Sequence, residues 1–196
     1  MADPGIISLL MVDDVPIIRD LVKMTFAKSD NIKVVAEATN GQEAIEMVDV
    51  KHPDIVLMDI EMPIMDGIEA AKIIHQKHKD IKIIMLTASS SEARIFKSFA
   101  AGAEGYIIKE RFLDTIEMAI NAVQVGSVWL DPAISRCILE AASKSSQREN
   151  EANIGELLTA EERARLNEVA SCTGSACLVD PGFVEKLHRL GQTRTN

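Results

Sequence analysis

Five polar residues stand out because each directly follows a short apolar run. Asp13 and Asp14 follow Ile6–Val12, Asp59 follows Ile55–Met58, Thr87 follows Ile83–Leu86, and Lys109 follows Gly105–Ile108. If the runs are strands of one parallel sheet, the loops at their carboxyl ends gather at a single edge, where such sheets place their functional groups. Three carboxylates brought together repel one another unless a cation neutralises them, and a hard divalent ion with oxygen ligands does so most simply. Mg²⁺ suits that donor set better than Zn²⁺, since no cluster of His or Cys accompanies it. A lysine and a hydroxyl beside the carboxylates are what phosphoryl transfer requires, because charge spreads over the equatorial oxygens of the moving group.

The elements needed to position these residues are legible in the spacing. The runs Ile6–Val12, Ile32–Ala38, Ile55–Met58, Ile83–Leu86 and Gly105–Ile108 alternate with helical patterns: Ile17, Leu21 and Met24; Ala44, Ile45 and Val48; Ile68, Ala71 and Ile74; Leu113, Ile116, Ile120 and Val123. Asn40-Gly41 and Asp66-Gly67 mark turns into helices, and Pro16 falls where a first helical turn tolerates proline. This alternation predicts an α/β fold, a five-stranded doubly wound parallel sheet with helices on both faces.

The chain of 196 residues, 47% apolar and 26% charged, allows one main domain with a smaller appendage. We expect a domain over residues 1–125, a linker with a short helix over 126–154, and a small helical segment over 155–196. The polar run from Ser143 to Asn153 reads as linker, after a helical stretch Ala133–Ala142. The formal net charge is −9, and the first 143 residues hold 14 Lys and Arg against 22 Asp and Glu, so that part has no nonspecific attraction to nucleic acid. Ile6–Val12 is too short for a membrane span and has no basic leader, and the three cysteines suggest no disulfide scaffold. A cytoplasmic location without membrane association is therefore expected.

Order and spacing together resemble the receiver domain of two-component response regulators, over residues 1 to about 125. The resemblance rests on Met11-Val12-Asp13-Asp14, the run Asp54-Ile55-Val56-Leu57-Met58-Asp59-Ile60-Glu61-Met62-Pro63, Met65-Asp66-Gly67, Leu86-Thr87-Ala88 and the run Gly102-Ala103-Glu104-Gly105-Tyr106-Ile107-Ile108-Lys109. It implies a flavodoxin-like fold in which Asp59 accepts a phosphoryl group from a sensor histidine kinase or phosphotransfer protein. It further implies that Asp14 binds Mg²⁺ directly, Asp13 through water, with Asp59 and the Glu61 backbone carbonyl completing the protein ligands. Lys109, Thr87 and the Ala88 backbone amide would hold the phosphoryl oxygens, and Thr87 with Tyr106 would form the switch, Tyr106 rotating inward. The protein would catalyse its own phosphorylation and dephosphorylation without being a turnover enzyme. Glu61 resembles the variable position that tunes the lifetime of the aspartyl phosphate.

Lys109 is followed by Glu110 rather than proline, a departure found in the NarL/FixJ group, and Val125–Pro132 is similar to that group's linker. Asp59-Ile60-Glu61 also resembles the paired acids of haloacid-dehalogenase phosphatases, but there the nucleophile ends the first strand, whereas here it ends the third. Leu158–Leu166 resembles the opening of a LuxR-type DNA-binding domain, with Thr159 capping a helix and Glu162 placed to close a capping box. Beyond Leu166 the likeness fails, for Asn167–Glu185 holds no Lys or Arg. One last short helix is expected over Phe183–Leu190.

DNA is therefore left open as a partner of the tail. Three outputs remain: a divergent or shortened helix-turn-helix that regulates transcription, a protein-docking appendage, or a receiver that is its own output, with a phosphorylation-dependent homodimer among the expected assemblies. Cys172 and Cys177 read as unlinked thiols and His188 as isolated, while His52, His75 and His78 are expected to face solvent.

Overall fold

The computed structural model describes residues 5–88, 91–145, 159–171 and 178–179. Strands β1 (Ile7–Val12), β2 (Ile32–Ala38), β3 (Ile55–Asp59), β4 (Lys82–Thr87) and β5 (Gly105–Ile108) alternate with helices α1 (Pro16–Phe26), α2 (Gly41–Lys51), α3 (Gly67–Lys77), α4 (Glu92–Ala100) and α5 (Phe112–Gln124). Two further strands, β6 (Val128–Leu130) and β7 (Leu178–Val179), and two helices, α6 (Pro132–Ser145) and α7 (Ala160–Ser171), follow. The sheet order is β2-β1-β3-β4-β5-β6-β7. All neighbours are parallel except β6 and β7.

Strand order reverses between β1 and β3, and the right-handed crossover rule then puts α1 on one face and α2, α3 and α4 on the other. Every residue of β3 is buried, and β1 and β4 are nearly so, because helices cover them on both sides. The edge strand β2 instead alternates, with Lys33 and Glu37 turned outward. Helix starts follow local chemistry. The Asn40 side chain accepts from the Glu43 amide at 3.0 Å and that of Asp66 from the Glu69 amide at 2.8 Å, each such cap contributing about 1 kcal/mol. Thr159 and Glu162 close a reciprocal capping box at the start of α7, with bonds of 2.7 and 3.2 Å.

Several expectations are corrected. The five-stranded sheet gains β6, which lies within the segment read as linker, and β7, which lies within the tail read as helical. Val128, Trp129 and Leu130 are all buried, and the Trp129 and Asp131 amides donate to the Glu104 and Tyr106 carbonyls at 3.2 and 3.1 Å. Three residues are too few to show a period, which is why this strand reads as linker. The helix expected over Ala133–Ala142 runs to Ser145, into the polar run. On α1, Ile17 and Met24 are exposed (60% and 74%), and Val22 and Phe26 face the core instead. His75 and His78 are half-buried rather than solvent-facing: the His75 ring packs on Gly102, where a Cβ would come within 2.2 Å of it, and His78 Nε2 lies 2.8 Å from Asp49 Oδ1. Leu158, Cys172, Cys177, His188, most of the polar run and the expected helix Phe183–Leu190 lie outside the described residues. No helix among the described residues is long and apolar enough to cross a membrane.

Candidate functional site

The carboxyl ends of β1, β3, β4 and β5 converge. Asp13, Asp14 and Asp59 each present a carboxylate oxygen within 4.8 Å of the others'. Lys109, in the 3₁₀ turn (Lys109–Arg111) that follows β5, reaches across the strand ends: its Nζ lies 2.8 Å from Asp13 Oδ2 and 2.9 Å from Asp59 Oδ2. Asp13 and Asp59 are buried and Asp14 is exposed. Burial pushes the Asp59 carboxyl above its ordinary range and the nearby Asp13 charge adds to this, while Lys109 opposes the rise. For Lys109, burial alone would depress the ammonium, but its bonds to Asp13 and Asp59 outweigh this and the net shift is upward.

Backbone chemistry fixes these side chains. The Val15 amide donates to Asp13 Oδ1 at 2.9 Å, and Arg19 donates to the Asp13 carbonyl at 2.7 Å, which orients the carboxylate and its loop. Beyond Asp59, the Ile60 amide donates to the Leu86 carbonyl at 3.2 Å and the Gly67 amide to the Ile60 carbonyl at 3.0 Å. A Cβ on Gly67 would lie 1.9 Å from the Asp59 carbonyl oxygen, so only glycine lets α3 begin so close to β3.

Glu61, in the exposed loop after β3, pairs through its side chain with Arg94 of α4. Thr87 ends β4 fully buried and Ala88 follows it, exposed. Tyr106 is also fully buried, its ring 6.1 Å from that of Phe99. Burial raises the phenol to about 12, with the neighbouring Thr87 and Ser98 hydroxyls acting the other way.

Asp13, Asp14, Asp59 and Lys109 therefore meet in one cluster, while Thr87 and Tyr106 sit on the adjoining strands and Glu61 at the rim. Sequence reading missed Arg94, Arg19 and Ser98. Nothing in their spacing marks them, since each acts through a contact made only once α4 and α1 are packed. Three carboxylates against one lysine leave an excess of negative charge, and the donor set is all oxygen with one exposed member. That fits a hard divalent cation such as Mg²⁺.

A family model described as the response regulator receiver domain matches residues 9–121. The chain is similar to the transcriptional regulatory protein LnrK of Bacillus subtilis (strain 168), with 35% identity over 72% of this chain and 64% of that protein. It is similar to the nitrate/nitrite response regulator protein NarL of Escherichia coli (strain K12), with 29% identity over 83% of this chain and 74% of that protein. Among solved structures, a LuxR-family two-component response regulator from Aurantimonas sp. SI85-9A1 superposes with a TM-score of 0.67 at 32% identity, covering 71% of this chain and 99% of that one. The match spans 64% of LnrK and 57% of the transcriptional regulatory protein DegU of Brevibacillus brevis, less than two thirds of either.

Proposed function

The chain belongs to the response regulator receiver domain family, and on that premise we propose that it is a phosphoacceptor switch whose acceptor is Asp59. The observation that carries this reading is the single ammonium of Lys109 set between Asp13 and Asp59. One Asp59 carboxylate oxygen attacks the phosphorus of a histidine kinase's or phosphotransfer protein's phosphohistidine. The O–P bond forms as the donor's P–N bond breaks, and the imidazole keeps the electron pair and takes a proton from solvent. Lys109 neutralises charge on the phosphoryl oxygens, and Thr87 with the Ala88 amide supplies hydrogen bonds to them. Asp14 would hold Mg²⁺ directly, Asp13 through water, and Asp59 with the Glu61 carbonyl would complete the set. When bound, the ion supplies charge neutralisation at the phosphoryl oxygens.

Once Asp59 is modified, Thr87 is drawn toward it and the inward position of Tyr106 is stabilised, which carries the signal to α4 and β5. Such a protein phosphorylates and dephosphorylates itself rather than turning over a metabolite. A cytoplasmic site of action and a phosphorylation-dependent homodimer follow from the same reading. Division into a receiver (1–125), a connecting segment (126–154) and a small output segment (155–196) remains our proposal for the organisation, amended by the addition of β6 beside β5 and of β7 beside β6.

For the output, one contact favours a docked appendage over a free DNA-binding module. Arg136 of α6 donates to the Ala170 carbonyl at the end of α7 at 2.9 Å, and α6 in turn packs on α4. A gel-shift assay of the phosphorylated chain separates transcription control from docking. The central reading is tested by intact-mass measurement after incubation with acetyl phosphate. Mg²⁺-dependent addition of one phosphoryl group to wild type and none to Asp59→Asn is expected; equal addition to both would remove Asp59 from its role.

A further inference from the structure

Glu61 stands two residues beyond Asp59, at the rim of the acidic cluster, and its carboxylate is paired with the Arg94 guanidinium. Arg94 lies in the first turn of α4, where its amide donates to the Ser91 carbonyl at 3.0 Å and its own carbonyl accepts from the Ser98 hydroxyl at 2.9 Å. One turn of α4 is thus tied at one end to the loop after the acceptor and at the other to a buried hydroxyl beside Tyr106. The two side chains line an open depression between the loop after β3, α3 and α4, where Glu61, Asp66 and Glu69 are met by Lys72, Arg94 and Lys97. Among the described residues, Arg94 is the cation the structure pairs with Glu61.

We infer that Arg94 is a positioning residue for phosphoryl exchange at Asp59: by holding the Glu61 carboxylate and cancelling its charge, it opens the rim to anionic donors. The inference rests on the phosphoacceptor reading of Asp59. Any donor of a phosphoryl group arrives negatively charged at an edge that already carries three carboxylates. An unpaired Glu61 adds one more charge on the approach path, whereas the ion pair presents none. Both side chains are partly exposed (39% and 53%), so the interaction is screened and its influence on stability is small. Its influence on the rate is larger, because the charge sits where the donor must pass. An uncompensated unit charge several ångströms from a dianion in a near-aqueous dielectric changes an encounter rate about fivefold.

The test is a double-variant cycle on the full chain, following phosphorylation by acetyl phosphate and by phosphoramidate, which carries less negative charge at neutral pH. Arg94→Ala should slow labelling by acetyl phosphate about fivefold at low salt and labelling by phosphoramidate less. Raised ionic strength should shrink the difference, and Arg94→Lys should retain most of the wild-type rate. Glu61→Gln should suppress the effect, so that the double variant labels like Glu61→Gln alone. A purely structural role for Arg94 would lower labelling by both donors equally, and Glu61→Gln would not rescue it. That pattern, or wild-type rates for Arg94→Ala with both donors, overturns the inference while leaving Asp59 as acceptor. Labelling that persists in Asp59→Asn would instead overturn the reading beneath it.

Discussion

Gly67→Ala is expected to destabilise the protein severely, because of where a single methyl group would fall. Its Cβ would lie 1.9 Å from the Asp59 carbonyl oxygen and 2.9 Å from both the Asp59 carbonyl carbon and Met58 Cγ. Restoring an ordinary contact requires a shift of roughly 1.5 Å in either the end of β3 or the first turn of α3. Neither can move alone. The Gly67 amide is bonded to the Ile60 carbonyl at 3.0 Å, and the Ile60 amide to the Leu86 carbonyl at 3.2 Å. Overpacking against fixed backbone costs about 3 kcal/mol, the upper end of the usual range. With a urea m-value of about 1.5 kcal/mol/M, the unfolding midpoint should fall by about 2 M. Because the displaced atoms belong to the acceptor residue, labelling of the folded fraction should also slow by an order of magnitude or more. Gly126→Ala, with open space around the new methyl but a φ of 86°, should cost only about 1 kcal/mol. A Gly67→Ala midpoint within 0.3 M of wild type, with normal labelling, would refute the steric argument.

Three further outcomes are expected. Asp59→Asn should raise stability at neutral pH, because burial raises this carboxyl's pKa and so penalises its charged form. The gain should vanish as pH falls and the wild-type carboxyl takes up its proton; denaturant midpoints across acidic pH measure it, and a constant difference would contradict it. Tyr106, the one tyrosine of the chain, should titrate near 12 rather than 10 by ultraviolet absorbance, and ionisation at 10 would show an exposed ring. Since the unfolded phenol ionises first, stability should decline as pH rises from 10 toward 12. Lys109→Ala should leave buried Asp13 and Asp59 without their shared cation, which costs about 3 kcal/mol at neutral pH; calorimetry checks it, and an unchanged melting temperature would contradict it.

Much of the main sheet was legible because its strands are buried on both faces and read as unbroken apolar runs, as Ile55–Met58 does. The cluster was legible because strand ends are where such a sheet concentrates chemistry, so Asp13, Asp14, Asp59 and Lys109 could be grouped without a structure. What escaped were contacts made only by packing. Val128–Leu130 joins β5 through a short parallel ladder that three residues cannot announce. Apolar spacing on α1 named Ile17 and Met24, but the sheet selects Val22 and Phe26, so period alone did not fix the buried face. His75 is half-buried only because Gly102 leaves room for its ring. Arg94 looks like any surface arginine until α4 brings it to Glu61.

The most direct measurement of the central claim is the chemical identity of the phosphorylated residue. The chain is incubated with Mg²⁺ and a phosphodonor, and borohydride is added to reduce the acyl phosphate to a homoserine side chain, which is then located by tandem mass spectrometry. Homoserine is expected at position 59 and at neither 13 nor 14, with none formed when Mg²⁺ is removed by chelation. Homoserine at position 13 or 14, or phosphate found only on a serine, threonine or histidine, would contradict it.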